Sequence, residues 1–216
     1  MHDQKKTIVY VTASRFKREE NKVFVANCRM LDGAPVSELF EFEHQGLTIP
    51  ETLEVDLTVM VEEEVKRAYG LLRRPCLVEH AGLIFDEFKA NSYPGGLTKP
   101  MWDTLRDQFL EETHSKGRSV IARAVVGYCD GKRVYTFVGE TVGRLANEPR
   151  GKREFYWDTV FIPDQASGSA AGKTYAEIVD DPGLGLTCKV VEFSQSSRAM
   201  LKFLEFLRTN PSSGLW

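Results

Sequence analysis

The chain has 216 residues, 42% of them hydrophobic and 27% charged, with a net charge of −3. That is enough apolar material for one globular unit with a sizeable core and no need of disulfide staples. The slight negative charge removes any bulk attraction to nucleic acid or to an anionic membrane, so an anionic ligand would have to be bound locally.

In chain order, Thr7 to Ala13 is a β-branched run ending in small residues, and from Arg15 the positions Phe16, Val23, Phe24 and Cys28 take helical spacing, so the chain opens strand, turn, helix. Val36 to Phe42 predicts a second strand, and Glu54 to Leu72 a helix carrying the acidic patch Glu62-Glu63-Glu64. Cys76 to Glu79 predicts a short buried strand. The loop Asn91 to Gly96 precedes a helix over Thr98 to Glu112, with Trp102, Leu105, Phe109 and Leu110 on one face. Ser119 to Tyr128 and Arg133 to Val142 read as two long strands joined at the hairpin signal Asp130-Gly131. Gln165 to Gly172 is a loop rich in small residues, Thr174 to Ile178 starts a short element, and Glu192 to Leu207 closes the chain as a helix. No repeat or linker divides residues 1–216, which are expected to form one domain with two lobes.

No apolar run approaches the ~20 residues of a membrane span, and the N-terminal flanks are wrong for a signal peptide, so a cytoplasmic protein is expected. The four cysteines show no metal-ligand spacing and are expected to be free thiols.

Four segments could carry chemistry. In Thr12-Ala-Ser14-Arg-Phe-Lys17 a strand-to-helix turn aims backbone N–H groups at one point, where Ser14 and Lys17 would form a phosphate cradle; Ser14 could equally be a plain helix cap. A strand ending in Glu79-His80 lifts a carboxylate and an imidazole to the rim of a sheet, for metal ligation by Glu79 with Asp56 or Glu54, or for base catalysis by His80. In Pro94-Gly-Gly-Leu-Thr98-Lys99, Thr98 is a candidate cap, and Lys99 puts a cation in the first turn, where the helix dipole favours an anion. Last, Phe155-Tyr-Trp157-Asp158-Thr-Val-Phe-Ile-Pro-Asp164 follows the basic loop Arg150-Gly-Lys-Arg153, giving a flat π-face beside cations, as a purine nucleotide requires.

In this order the segments resemble the inosine triphosphate pyrophosphatase family, over roughly Lys6 to Leu207. The family's Thr-Gly-Asn-x-x-Lys turn is similar to Thr12 to Lys17, its Glu-Asp-(Ser/Thr)-Gly-Leu strand end to Glu79 to Leu83, and its Pro-Gly-x-Tyr-x-Lys to Pro94 to Lys99. Its Gly-Arg, Ala-Pro-Arg-Gly, Phe-Gly-Trp-Asp-Pro-x-Phe, Pro-Asp and Thr-Tyr-Ala-Glu motifs resemble Gly143-Arg144, Glu148 to Gly151, Phe155 to Phe161, Pro163-Asp164 and Thr174 to Glu177. The resemblance implies an α/β protein, elongated and two-lobed, with a long central mixed sheet, flanking helices and a nucleotide cleft. It implies release of pyrophosphate from ITP, dITP or XTP with Mg²⁺. Carried over, Phe155 and Trp157 belong to the base platform, Asp158 bonds the base edge, Thr12, Ser14, Lys17 and Lys99 meet the triphosphate, Lys189 stands for a lysine before the C-terminal motif, and Asp56 falls where the family keeps a metal-binding glutamate.

The departures from the family pattern fall mostly in the site. The family's catalytic, metal-binding aspartate is His80 here, its Asn in the phosphate turn is Ser14, its glycine between Phe and Trp is Tyr156, and its base-reading Ser-His-Arg is Ser194-Gln195-Ser196. Binding groups survive while hydrolytic groups change. The expectation is therefore a nucleotide sensor with weak or absent hydrolysis, working as a homodimer or with an effector protein, as in a bacterial defence system. An active pyrophosphohydrolase with Mg²⁺ on Glu79 and Asp56 and with His80 as base is the alternative.

Overall fold

The structure is a computed structural model that describes residues 5–113, 118–153 and 155–210. Six strands, β1 (Lys6–Val11), β2 (Phe40–Gln45), β3 (Cys76–Phe85), β4 (Ser119–Cys129), β5 (Val134–Leu145) and β6 (Phe161–Pro163), form one sheet in the order β2-β1-β3-β4-β5-β6. β1 runs parallel to β2 and β3, and the remaining neighbours are antiparallel. Around this sheet lie α1 (Arg15–Asn27), α2 (Val36–Leu39), α3 (Leu57–Leu72), α4 (Thr98–Leu105), α5 (Tyr175–Asp180), α6 (Gly185–Cys188) and α7 (Gln195–Thr209). The fold is thus α/β with a mixed sheet flanked by helices, as expected. No helix among the described residues is long and apolar enough to cross a membrane, and all four cysteines are free.

Strand alternation decides which helix each residue meets. On β1, Ile8 and Tyr10 join Phe24, Phe203 and Leu204 beneath α1 and α7, whereas Val9 and Val11 join Val61, Val65 and Ala68 of α3. α3 lies there because Leu57, Met60, Val61, Val65 and Ala68 make one buried stripe at helical spacing, and because Asp56 caps it, its Oδ1 accepting from the Thr58 N–H at 2.7 Å. Leu83, Phe85, Trp102, Phe109, Phe161 and Tyr175 form a further cluster at the other end of the long strands.

Several element boundaries differ from expectation. Val36 to Leu39 is a helical turn that precedes β2. The strand from Cys76 continues through Glu79 to Phe85, because Leu83, Ile84 and Phe85 are fully buried against β4 and need its ladder. α4 stops at Leu105, since Arg106 takes φ 52°, and a 3-10 turn (Arg106–Glu111) carries the rest. Thr98 is not a cap but the first residue of α4: its buried Oγ1 accepts from the Leu83 N–H at 2.8 Å and donates to the Gly95 carbonyl at 2.7 Å. The closing helix begins at Gln195, and Lys189–Phe193 before it forms a π-helical turn. The Asp130-Gly131 hairpin stands as expected, with Asp130 Oδ1 accepting from the N–H groups of Lys132 and Arg133.

α7 reaches the sheet through Gly139 on β5, where an added Cβ would lie 2.0 Å from the Gln195 carbonyl oxygen and 2.4 Å from the Ala199 nitrogen. Gly139→Ala is therefore expected to cost about 1–3 kcal/mol by forcing the helix off the strand. Urea denaturation checks this. A cost near zero would mean that the start of α7 is not seated as described.

Candidate functional site

Tyr10 pairs with Leu77, and β1 ends one residue later, so Glu79 and His80 stand on β3 past the end of its parallel neighbour. Here a cavity of about 470 Å³ opens, of the size usual for a small-ligand site. Glu79 and His80 point to opposite faces. Glu79, 7% exposed, turns toward α1 and α7: Tyr10 donates to its Oε2 at 2.6 Å and Ser196 to its Oε1 at 2.7 Å. Burial pushes its carboxyl up, but the Lys17 ammonium and these two hydrogen bonds outweigh that and hold it below the ordinary range. Burial and the adjacent carboxylate in turn hold the Tyr10 phenol well above its usual value.

His80 turns toward α3, where its Nε2 lies 2.5 Å from Glu64 Oε2. Glu64 is 4% exposed, and its second oxygen, Oε1, is buried with no hydrogen-bond partner. On the N-terminal turn, Ser14 Oγ accepts from the Lys17 N–H at 3.3 Å, Thr12 Oγ1 accepts from the Ser14 N–H at 3.2 Å, and Lys17 Nζ donates to the Glu79 carbonyl. Ser14 is therefore a helix cap and a cavity residue at once. Across the opening, Lys99 Nζ meets Glu51 Oε1 at 2.8 Å, a pair that leaves the Lys99 ammonium above its usual pKa despite partial burial. Lys99 is placed there by close packing: a Cβ on Gly82 would lie 2.1 Å from the Gly95 carbonyl oxygen, and one on Gly96 2.2 Å from that of Glu54.

The other end of the cavity is aromatic. Phe155 stacks on Phe16 with centroids 4.9 Å apart and planes at 29°, and the guanidinium groups of Arg15 and Arg153 lie 4.7 and 4.8 Å from the Phe16 ring centre. Beneath Phe155, Lys189 is 2% exposed and donates to both Asp158 Oδ2 and Glu20 Oε1, the latter at 2.8 Å; Arg153 also reaches Glu20, at 3.2 Å. One ammonium thus serves two carboxylates. It stays above its ordinary pKa because the pair of them outweighs burial. Asp158, receiving only a share of Lys189 and facing Glu20, is pushed by burial up to about 6. The loop before Phe155 is anchored on α5, whose cap Thr174 forms a capping box with Glu177 and donates to the Arg150 carbonyl at 2.9 Å.

Tyr156, where a glycine would be unstrained, holds φ 50°. The left-handed region costs a residue with a Cβ about 1–2 kcal/mol.

Of the residues predicted to form the site, Thr12, Ser14, Lys17, Glu79, His80, Lys99, Phe155, Trp157, Asp158, Lys189 and Gln195 line this one cavity. Two do not. Asp56 caps α3 and is absent from the lining, so it does not join Glu79 there. Ser194 caps α7 behind the wall, its Oγ accepting from the Ser197 N–H. Phe16, Glu20, Glu51 and Glu64 line the cavity and were missed. A signal existed for Glu64: it falls on the apolar stripe of α3, where an unpaired carboxylate is costly.

A protein-held Mg²⁺ ion does not fit this donor set. Glu79 is taken by Tyr10 and Ser196, Glu51 by Lys99 and one oxygen of Glu64 by His80, and no three acidic, His or Cys side chains converge on a point among the described residues.

The model of the Ham1 family matches residues 8–183. The chain belongs to the Ham1 family. It is 31% identical over 175 residues to a dITP/XTP pyrophosphatase of Methanopyrus kandleri, covering 79% of this chain and 85% of that one. It is 28% identical over 210 residues to an inosine triphosphate pyrophosphatase of Kluyveromyces lactis, covering 94% and 96%. A Ham1 protein structure from Coxiella burnetii superposes with a TM-score of 0.63 at 20% identity, over 94% of this chain and 99% of the other. The Ham1 fold therefore extends over nearly the whole chain.

Proposed function

We propose that the cavity binds a deaminated purine nucleoside triphosphate, ITP, dITP or XTP, and turns it over slowly or not at all, so that the protein acts as a nucleotide sensor controlling an effector protein. The names borne by its relatives support the ligand class. One observation carries the loss of turnover: at the end where the phosphates would lie, His80 and buried Glu64 are locked together at 2.5 Å, and the carboxylate of Glu79 is tied to Tyr10 and Ser196. Mg²⁺ would then arrive with the triphosphate, held by phosphate oxygens and water, and Lys17 and Lys99 would offset the charge. At the other end, Phe155 would release Phe16 and stack on the purine, and ionised Asp158 would accept from the N1–H of a 6-oxo base. Adenine has no N1–H and would be refused.

Titration calorimetry with ATP, GTP, ITP, dITP and XTP, beside an assay of pyrophosphate, tests the reading. ITP, dITP or XTP should bind with little pyrophosphate formed, and binding of none of these three would overturn it.

A second reading has its own support. With Nε2 engaged by Glu64, the other ring nitrogen of His80 has no hydrogen bond among the described residues and could activate water as general base, as in an active pyrophosphohydrolase. Brisk turnover by the wild type would select it.

The base site also fixes a pH dependence. As the pH falls through about 6, Asp158 takes up a proton and ceases to accept from N1–H. Affinity for ITP or dITP is expected to drop about tenfold between pH 7 and 5, and the drop should vanish in Asp158→Asn. Stability of the unliganded protein runs the other way at this group. Its folded pKa is raised, so its contribution is full below the ordinary carboxylate range and is lost as the pH climbs to about 6.

A further inference from the structure

We propose that Tyr156 is the sugar gate of this cavity: its ring is the wall against which C2′ packs, and it selects 2′-deoxyribose over ribose. This rests on the reading of the cavity as a nucleotide site and adds the sugar to it.

Position comes first. Tyr156 lies between the two ends of the cavity, with its ring centre 5.3 Å from that of Phe155, planes tilted 42°, on one side, and Lys99 Nζ 5.7 Å from its ring centre on the other. Phe155 is the stacking face for the base and Lys99 a cation for the phosphates. The part of a nucleotide that joins base to phosphates is the sugar.

The backbone adds a second, independent observation. Tyr156 is a large residue at φ 50°, a conformation in which a side chain of this size is a genuine outlier. Such a residue persists where the surroundings over-determine it. Trp157 and Asp158, which follow directly, are 5% and 3% exposed and pin the turn in place. Yet Tyr156 itself is only partly buried, and its hydroxyl makes no hydrogen bond among the described residues. The fold holds the ring at the cavity wall, and its polar end is engaged only through the charge of the Lys99 ammonium.

A ring beside C2′ tolerates the CH₂ of a deoxyribose. A 2′-hydroxyl pressed against the same ring loses water and gains no partner, so ribose is rejected by a desolvated polar group. The ring does this, not the phenol oxygen.

Dissociation constants for dITP and ITP, measured by calorimetry on wild type, Tyr156→Phe, Tyr156→Gly and Tyr156→Asn, test the gate. Wild type is expected to bind dITP about tenfold or more tightly than ITP. Tyr156→Phe should keep that ratio, and Tyr156→Gly should bring it near one by tightening ITP. Glycine and asparagine both tolerate the left-handed backbone, so Tyr156→Asn serves if the glycine variant unfolds in a thermal melt. A ratio unchanged in the glycine and asparagine variants, or a wild type that prefers ITP, overturns the gate. If wild type binds both nucleotides equally and Phe155→Ala abolishes binding of both, the nucleotide site stands and the gate alone fails. If wild type binds neither, the site reading fails and the gate with it.

Discussion

Lys189→Met is expected to cost about 3–5 kcal/mol of folding stability, which for a chain of this length is a fall in Tm of roughly 10 °C. Lys189 is 2% exposed and bonds Asp158 and Glu20, and Asp158 is itself only 3% exposed. Removing the ammonium leaves two acids facing each other, with Arg153 bonded to Glu20 but 3.9 Å from Asp158. The penalty therefore comes from the orphaned charges more than from the lost contact. Lys189→Met with Asp158→Asn should recover much of the loss, because the more buried acid is then neutral. Urea denaturation of the two variants separates these effects. A single-variant cost below about 1 kcal/mol would mean that the triad is not desolvated.

His80→Asp alone is expected to yield a less stable protein with no gain in turnover. His80→Asp combined with Glu64→Gln should raise pyrophosphate release from dITP with Mg²⁺ by about 10²-fold or more. Glu64 Oε2 lies 2.5 Å from His80 Nε2, and Glu64 is 4% exposed, so an aspartate at position 80 would confront a buried carboxylate, and one of the two would hold a proton. Glutamine at position 64 removes that conflict and leaves the new carboxylate ionised and facing the cavity. Steady-state pyrophosphate assays, with circular dichroism to confirm folding, decide the matter. If the double variant stays as inactive as the wild type, the block lies elsewhere, with the ties of Glu79 to Tyr10 and Ser196 the next to test.

Much of this could be read from residue order. The strand-turn-helix start, the Asp130-Gly131 hairpin and the aromatic segment were legible because each rests on local rules of branching, turn chemistry and composition. The lining of the cavity by Lys17, Glu79, Lys99 and Phe155 followed from the motifs in sequence. What failed was non-local. Val36 to Leu39 has β-branched and apolar residues fit for a strand, but β2 starts only at Phe40, where pairing with Lys6 begins. Asp56 falls at the family's metal-ligand position by linear alignment, which cannot see that it is spent capping α3 while Glu51, five residues earlier, faces the cavity against Lys99. Glu64 was hidden in an acidic run that looks solvated, although only Glu64 of the three falls on the buried stripe of α3. Phe16 could not be paired with Phe155 by any rule of spacing, since 139 positions separate them. At position 156 the sequence shows only that tyrosine stands where the family has glycine, while its positive φ, which shows what the tyrosine costs, belongs to the folded backbone alone.

The proposed recognition of a nucleotide without its hydrolysis is tested most directly by a single turnover. Protein in excess over radiolabelled dITP, with Mg²⁺ at pH 7.5, is quenched in acid over minutes to hours, and the bound nucleotide is resolved from monophosphate and pyrophosphate. Nearly all of the label should remain as bound, intact dITP when binding is complete. Rapid conversion of bound dITP to the monophosphate would contradict it and identify the pair His80 and Glu64 as working catalytic machinery.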